Sequence, residues 1–291
     1  GIVDKKNKYT KHFGDPLWVY YKYRETKGDK RSKDAIYAEG RRKMKEVEAR
    51  GVDLAMGHGK ELWDLNLELG KKVKSYYDDA KKCLWTELTP EFVKSIPNVL
   101  RVKTLSKDRN EYILHPPTGE QLSPESVAAI EKLRDSWGAK APRGQIVISD
   151  GLNANAIMDE GHLTPYLQEM RRLLAEADVP MSETNILITG GRVRAGYRIG
   201  ELLFAKADNK GFRGILHIIG ERPGTMHHSY SVYITVAKGS VWGEKKIDHD
   251  ITKLVCNIAD TALPSKRAAE ETLTIIREIA GKEANNSRRP R

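Results

Sequence analysis

The chain has 291 residues, two cysteines and a formal net charge of +10. This length allows one or two domains with a buried core, whereas two cysteines exclude a disulfide framework or a four-cysteine zinc site and favour a reducing compartment. The sequence contains no apolar run long enough for a membrane span and no secretory pattern, which predicts a soluble cytoplasmic protein.

The positive charge is concentrated near the N-terminus. Residues 1–50 carry 15 Lys/Arg against 8 Asp/Glu, which is +7 of the total of +10. Residues 1–34 combine these charges with aromatic rings, and they show neither clean periodicity nor a helix cap. Such an arm can bind nucleic acid or lie across a partner subunit. The sequence has no nucleic-acid-binding signature beside the arm, which favours the partner.

Helical patterns begin at Ala35, and Gly51 ends a first short helix. Between Lys60 and Trp85 apolar residues recur every three or four positions, which predicts a longer amphipathic helix. Thr89-Pro90 has the cap and first-turn residues of another helix. Three further elements are predicted in order: a strand at Val99–Thr104, a turn at His115–Pro117 and a helix from Ser123 to Trp137.

After a linker at 138–144, strands and helices alternate. Short apolar β-branched runs are typical of buried parallel strands; they are Gln145–Ser149, Asn185–Thr189 and Ile215–Ile219. The remaining predicted elements are helices at Leu163–Ala177, Gly196–Ala207 and Pro264–Ala280, strands at Ser231–Val236 and Leu254–Ile258, and a frayed tail at Gly281–Arg291. This order predicts an α/β fold with a Rossmann-like, doubly wound, mainly parallel sheet.

The same patterns divide the chain into three segments. Residues 1–95 form a basic arm and a mostly helical N-terminal region, residues 96–143 connect, and residues 144–291 form the Rossmann-like domain. Open α/β sheets bind ligands beyond the carboxyl ends of their strands. Three glycine-bearing turns are predicted at that edge: Ser149–Gly151, Gly190–Val193 and Gly220–Gly224.

No familiar catalytic or metal motif accompanies these turns. The sequence lacks the G-x-G-x-x-G fingerprint, the phosphate-binding P-loop, H-E-x-x-H and G-x-S-x-G. His227 and His228 are adjacent, which favours a surface or loop role. The expectation is therefore no catalytic residue and no metal site of its own, with a nucleotide-dependent oxidoreductase and a basic nucleic-acid-binding α/β protein as the alternative functions.

Four segments together resemble the small (light) subunit family of ethanolamine ammonia-lyase. They are IVISDGLNANAI, GRVRAGYRIGE, IIGERPG and NIADTALPSKRAAE, in this order, and the resemblance extends from about Val99 to Ala280. It implies a non-catalytic subunit that helps to bind adenosylcobalamin against a catalytic, barrel-shaped large subunit. It also implies a hexamer of heterodimers. Together with the composition this leaves no nucleic acid or membrane as an expected partner, and the expected location is the cytoplasm, with a bacterial microcompartment left open.

The resemblance also implies three cofactor-binding residues. Val193 matches a cobalamin-contacting valine, and Glu221 matches a contacting glutamate. The third contact is a cysteine in a Cys-x-Ser-Asn-Ile stretch, where this chain has Leu254-Val255-Cys256-Asn257-Ile258. Cys256 is the cysteine of this stretch, but alignment on Asn-Ile puts Leu254 at its position, so both remain candidates. Residues 1–95 depart from the family pattern, which leaves the exact amino alcohol open.

Overall fold

The computed structural model describes residues 16–50, 67–209, 211–224 and 228–286. The chain forms two compact units, Gly1–Tyr77 and Asp78–Arg291. The described residues contain eleven α-helices and one six-stranded sheet. The α/β class predicted from the sequence is therefore confirmed, while the predicted segment boundaries at residues 95 and 143 stay a prediction.

The N-terminal unit contains a helical pair, α1 (Pro16–Thr26) and α2 (Lys33–Glu48). The Tyr20 hydroxyl donates to the Glu39 carboxylate at 2.7 Å and joins the two helices. Helix α1 lies within residues 1–34, where the sequence shows neither clean periodicity nor a helix cap. Pro16 suits a first helical turn, but the contacts that support α1 come from α2, so local periodicity did not indicate it. Residues 1–15 lie outside the described residues.

The long helix α3 (Leu67–Trp85) and the short helix α4 (Pro90–Ser95) follow. The predicted start of the long helix, residues 60–66, lies outside the described residues. The predicted cap of α4 is confirmed, because the Thr89 hydroxyl accepts from the Phe92 amide at 3.2 Å. This bond satisfies one of the free N–H groups of the first turn.

The sheet has the strand order β1-β3-β2-β4-β5-β6. The strands are β1 (Val99–Lys103), β2 (Gly144–Ser149), β3 (Asn185–Thr189), β4 (Phe212–Gly220), β5 (Tyr230–Lys238) and β6 (Thr252–Ile258). The first four pair in parallel, whereas β4 with β5 and β5 with β6 pair antiparallel. The sheet is therefore mixed. The connection at residues 221–229 is shorter than the dozen or more residues that a parallel crossover needs, so β5 runs back along β4.

Helices cover both faces of the sheet. They are α5 (Arg109–Leu114), α6 (Pro124–Ser136), α7 (Asn155–Met158), α8 (Leu163–Glu176), α9 (Val193–Phe204), α10 (Gly239–Gly243) and α11 (Ser265–Asn286). Ile146 and Ile148 of β2 pack in one core cluster with α8 and α11. Val147, between them, packs in a second cluster with α6, α9 and α10. The strand's alternating side chains thus serve two cores, which explains why its sequence is continuously apolar.

Two predictions about helix limits need correction. The structure begins α9 at Val193 rather than Gly196, so the turn after β3 is shorter than the sequence indicated. At the other end of the domain, α11 continues to Asn286, through part of the tail that was expected to be frayed. Residues 287–291 lie outside the described residues.

The described part of the chain contains no helix that combines the length and the apolar character needed to cross a bilayer.

Glycines allow α9 to pack closely on its neighbours. A Cβ atom at Gly200 would lie 2.2 Å from the Trp242 ring, and one at Gly196 would lie 2.4 Å from Nδ1 of His217. The two glycines are one helical turn apart and therefore face the same way. Trp242 is fully buried at this contact, and its indole N–H donates to the Arg213 carbonyl at 3.1 Å. The position of α9, and of Val193 at its start, therefore depends on the absence of two side chains.

We expect Gly200→Ala to lower the free energy of unfolding by roughly 1–3 kcal/mol, because the added methyl overpacks a buried contact. Gly281→Ala is the matched control, since Gly281 is also helical and no heavy atom lies within 4 Å of its Cβ position. The control should be neutral or slightly stabilising. Urea unfolding of both variants provides the measurement, and equal stabilisation by the two alanines would contradict the packing argument.

Candidate functional site

The carboxyl ends of the parallel strands form the candidate site. There the turns after β2 and β4 approach very closely: Gly151 has a φ of +58°, and a Cβ on it would lie 2.0 Å from the Gly220 carbonyl oxygen. The Leu152 amide donates to that same carbonyl at 3.1 Å. Only glycine tolerates both this conformation and this approach. The predicted turn at Ser149–Gly151 thus joins the carboxyl ends of β2 and β4.

A buried ion pair organises this edge. The Arg109 guanidinium donates to Asp150 Oδ2 at 3.0 Å and to the Gly151 carbonyl at 2.9 Å, and both side chains are less than a tenth exposed. Asp150 Oδ1 accepts from the Gly190 amide at 3.0 Å. Burial raises the pKa of Asp150 to about 6, against the opposing effects of Arg109 and the amides of Gly191 and Gly190.

Tyr112 lies between two arginines behind the same turns. The guanidinium carbons of Arg109 and Arg192 are each 4.9 Å from its ring centroid, a distance at which cation–π attraction operates. The Tyr112 hydroxyl donates to the Gly191 carbonyl at 3.1 Å, and Arg192 Nη2 donates to the Tyr112 carbonyl at 2.9 Å. These contacts hold the turn before α9, which carries Val193.

A cavity of about 170 Å³ opens beside this turn. Its lining contains both an apolar and a charged part: Tyr112, Leu152, Arg192, Val193, Ile219, Gly220, Glu221, Arg222 and Tyr233. Arg192 Nε is buried without a hydrogen-bond partner among the described residues. A buried donor of this kind costs free energy unless a ligand or water satisfies it.

The structure brings two of the three predicted residues together. Val193, the first residue of α9, and Glu221, directly after β4, are both half-buried and line this cavity. The Glu221 carboxylate accepts from the Tyr233 hydroxyl at 3.4 Å, and its amide donates to the Ser229 carbonyl at 3.0 Å. Burial, together with the Glu221 charge, raises the pKa of Tyr233 to about 12, so the phenol stays protonated and can donate.

Cys256 lies outside the described lining of the cavity. It is exposed on β6, as is Leu254, which is 44% exposed, while Val255 between them is buried. Leu254 pairs directly with Tyr233 across the β5–β6 ladder. Both candidates for the third contact are therefore on the open surface that adjoins the cavity, and the choice between them stays a prediction.

Sequence reasoning did not identify the residues that support the site. Arg192 belongs to the predicted turn at Gly190–Val193, but the sequence indicated no role for its side chain. Arg109, Tyr112 and Tyr233 belong to none of the predicted turns or motifs. Arg109 and Tyr112 belong to α5, which no periodic pattern announced because it is only six residues long. A polar stretch that contains an arginine and a tyrosine has no local signature of a buried ion pair.

A mixed α/β sheet with a partly charged cavity at its carboxyl edge defines a class of ligand-binding α/β domains. Within this class the family assignment is specific: the family model "Ethanolamine ammonia-lyase light chain (EutC)" matches residues 48–286. The chain belongs to this family. Membership indicates the small subunit of an ethanolamine ammonia-lyase and implies a large-subunit partner.

One buried histidine near the site should make stability dependent on pH. His217 of β4 is 1% exposed and lies under α9, and burial lowers its pKa to about 4, against about 6.5 in an unfolded chain. The unfolded chain therefore binds more protons between these two values. We expect this histidine to lower the free energy of unfolding by about 2 kcal/mol between pH 7 and pH 5.

Urea unfolding at both pH values measures this effect. His217→Gln should lose it, whereas His115→Gln, on the surface, should keep it. Asp150 has the opposite effect on the free energy of unfolding. Because its pKa is raised in the folded chain, the folded state binds the proton first and is stabilised as the pH falls. Both variants retain Asp150, so its contribution cancels in the comparison. An unchanged pH dependence in His217→Gln would contradict the prediction.

Proposed function

We propose that this chain is the non-catalytic, cofactor-binding small subunit of an adenosylcobalamin-dependent ethanolamine ammonia-lyase, which converts ethanolamine to acetaldehyde and ammonia. The observation that carries the proposal is the convergence of Val193 and Glu221 on one cavity. The two residues come from separate motifs after β3 and β4, and each was expected to contact cobalamin from the family resemblance alone.

The residues present fit one edge of such a cofactor. A cavity of about 170 Å³ is smaller than the roughly 300–1,000 Å³ of pockets that enclose small molecules. It can accept part of the rim of a corrinoid but not the whole group. Cobalamin has an apolar macrocycle edged by amides, and the lining offers apolar carbon, a carboxylate acceptor and a buried guanidinium donor without a partner.

Each side chain then has a distinct binding role. Val193 packs against the apolar edge, Glu221 accepts from an amide N–H or a hydroxyl, and Arg192 donates to a carbonyl oxygen. Tyr233 holds the Glu221 carboxylate in place, and the exposed face of β6, with Leu254 and Cys256, extends the contact. Adenosylcobalamin, when bound, supplies the radical chemistry. This chain orients the cofactor and excludes water from one side of it.

The small cavity also implies a second protein wall. The large subunit would provide this wall together with the catalytic residues, and the heterodimers would assemble as a hexamer in the cytoplasm or in a bacterial microcompartment. We also propose that residues 144–291 form a Rossmann-like, doubly wound domain. The packing of α8 and α9 in two different core clusters, one for each face of the sheet, supports this topology.

We expect the isolated chain to show no turnover of ethanolamine, because the described lining of the cavity contains no cysteine, serine, lysine or histidine and has room for only part of the cofactor. Activity should appear only when the chain is combined with a large subunit and adenosylcobalamin. A coupled aldehyde-dehydrogenase assay of the chain, the large subunit and the complex measures this. Acetaldehyde production by the chain and cofactor alone would contradict the proposal.

We expect Glu221→Ala to weaken cobalamin binding to the assembled complex by roughly 1–3 kcal/mol, because a polar partner is lost at a partly buried contact. Glu244→Gln is the control, since Glu244 is exposed and outside the cavity lining. Titration of the corrin absorbance measures both affinities. Unchanged affinity for Glu221→Ala, in a complex of normal size, would remove Glu221 from the site.

A further inference from the structure

A second group of chemically active side chains lies in the C-terminal unit. Asp79 and Cys83 are four residues apart on α3 and therefore share one helix face. His228, two residues before the start of β5, faces both of them. Its Nε2 is 3.3 Å from Cys83 Sγ and 3.2 Å from Asp79 Oδ2, and Sγ is 3.8 Å from Oδ2. Three potential ligand atoms thus face one another.

These separations match those of ligands around one tetrahedral metal ion. With zinc–sulfur bonds of about 2.3 Å and zinc–nitrogen or zinc–oxygen bonds of about 2.1 Å, tetrahedral angles place neighbouring ligand atoms about 3.4–3.6 Å apart. The three observed distances lie between 3.2 and 3.8 Å. Small side-chain movements would suffice to admit the ion.

The surrounding residues have the arrangement that metal sites use to orient their ligands. The other ring nitrogen of His228, Nδ1, is 2.6 Å from the Asp159 carboxylate, which fixes the ring with Nε2 toward Cys83 and Asp79. A carboxylate behind a metal-binding histidine is a frequent companion of such sites. The Asn155 amide also donates to Cys83 Sγ at 3.4 Å, which stabilises charge on the sulfur.

We propose that Asp79, Cys83 and His228 bind a divalent, thiophilic transition metal, for which zinc is the natural candidate. A thiolate, an imidazole and a carboxylate are ligands that zinc accepts. Water would occupy the fourth position. Binding replaces the thiol proton, which passes to solvent, by the metal. The site is separate from the proposed cobalamin contact and does not depend on it.

The metal would connect the end of α3 to the segment that precedes β5. That segment also carries Ser229, whose carbonyl accepts the Glu221 amide. Coordination of His228 would thus fix the neighbour of Ser229, and with it the contact between Ser229 and Glu221. The site would act as a structural clamp behind the candidate cavity.

The same residues have the order of a nucleophilic Cys–His–Asp arrangement, and burial decides between the two interpretations. Cys83 is 0% exposed, so its sulfur is not presented to a substrate, whereas the partly exposed side chains of Asp79 and His228 leave a path for an ion and a water molecule. In addition, Nε2 faces the Asp79 carboxylate as well as the thiol. A general base would need that nitrogen for the thiol alone. A metal site instead needs the imidazole nitrogen, the sulfur and the carboxylate oxygen to face one common point, as they do here.

Metal titration of the untagged full chain tests the proposal. Bound metals are first removed with a chelator, and zinc or cobalt(II) is then added back. We expect the chain to bind one equivalent of zinc, measured by mass spectrometry, and one equivalent of cobalt(II), with a thiolate-to-cobalt charge-transfer band. Asp79→Asn and His228→Gln should weaken binding by about 100-fold or more, and Asp159→Asn by about 10–100-fold. Cys83→Ser should abolish the charge-transfer band.

Two control variants keep the test decisive. Cys256→Ser and His249→Gln, both at exposed positions, should leave the cobalt spectrum unchanged. Because the chain has two cysteines, a band retained in Cys256→Ser assigns the thiolate to Cys83 even if Cys83→Ser does not fold. Substoichiometric zinc in the folded chain, or a band lost in Cys256→Ser, would overturn the proposal. So would alkylation of Cys83 that depends on His228 in a chain that binds no metal.

Discussion

The buried pair of Arg109 and Asp150 is the interaction on which the carboxyl edge of the sheet depends. Arg109 Nε also donates to the Leu84 carbonyl at 2.7 Å, so one guanidinium connects α5, the end of α3 and the turn after β2. Through its other oxygen Asp150 reaches the turn after β3. Removal of one partner from such a pair typically costs about 3–5 kcal/mol, because the other charge stays buried.

The shape of the candidate site depends on this ion pair. With the turns after β2 and β3 joined by Asp150, the start of α9 is fixed beside β4, and Val193 and Glu221 face one cavity. Tyr112 adds a second constraint by packing between the two arginines. The turns at this edge are therefore held together by contacts within the chain itself.

The features that could be predicted from the sequence are those with a local signal. Buried strands such as β2 and β3 are continuous apolar runs, and their observed limits agree with the prediction to within a residue. The strand pattern also predicts that the turns with Val193 and Glu221 lie at the same edge of the sheet, while the two residues themselves were indicated by the family resemblance. By contrast, α1 depends on its packing against α2, and Arg109 depends on a carboxylate 41 residues away.

The cluster of Asp79, Cys83 and His228 could not be predicted from any sequence pattern. Cys83 and His228 are 145 residues apart, and no spacing rule connects them. The expectation that His228 has only a surface or loop role rested on its neighbour His227 and on the absence of known motifs. Its contacts with Asp79 and Asp159 depend on the fold, which brings α3 and α7 toward the start of β5.

The position of β6 at one end of the sheet has a consequence for handling the protein. An outer strand presents unpaired backbone groups, which another chain can extend by adding a strand. On β6 the exposed Leu254 and Cys256 add apolar surface beside this edge, which favours contact with another chain. Only near the end of the strand does Asn257, with a φ of +58°, interrupt the regular backbone. A light chain produced without its partner would therefore be prone to self-association along this edge, and co-production with the large subunit is the direct remedy.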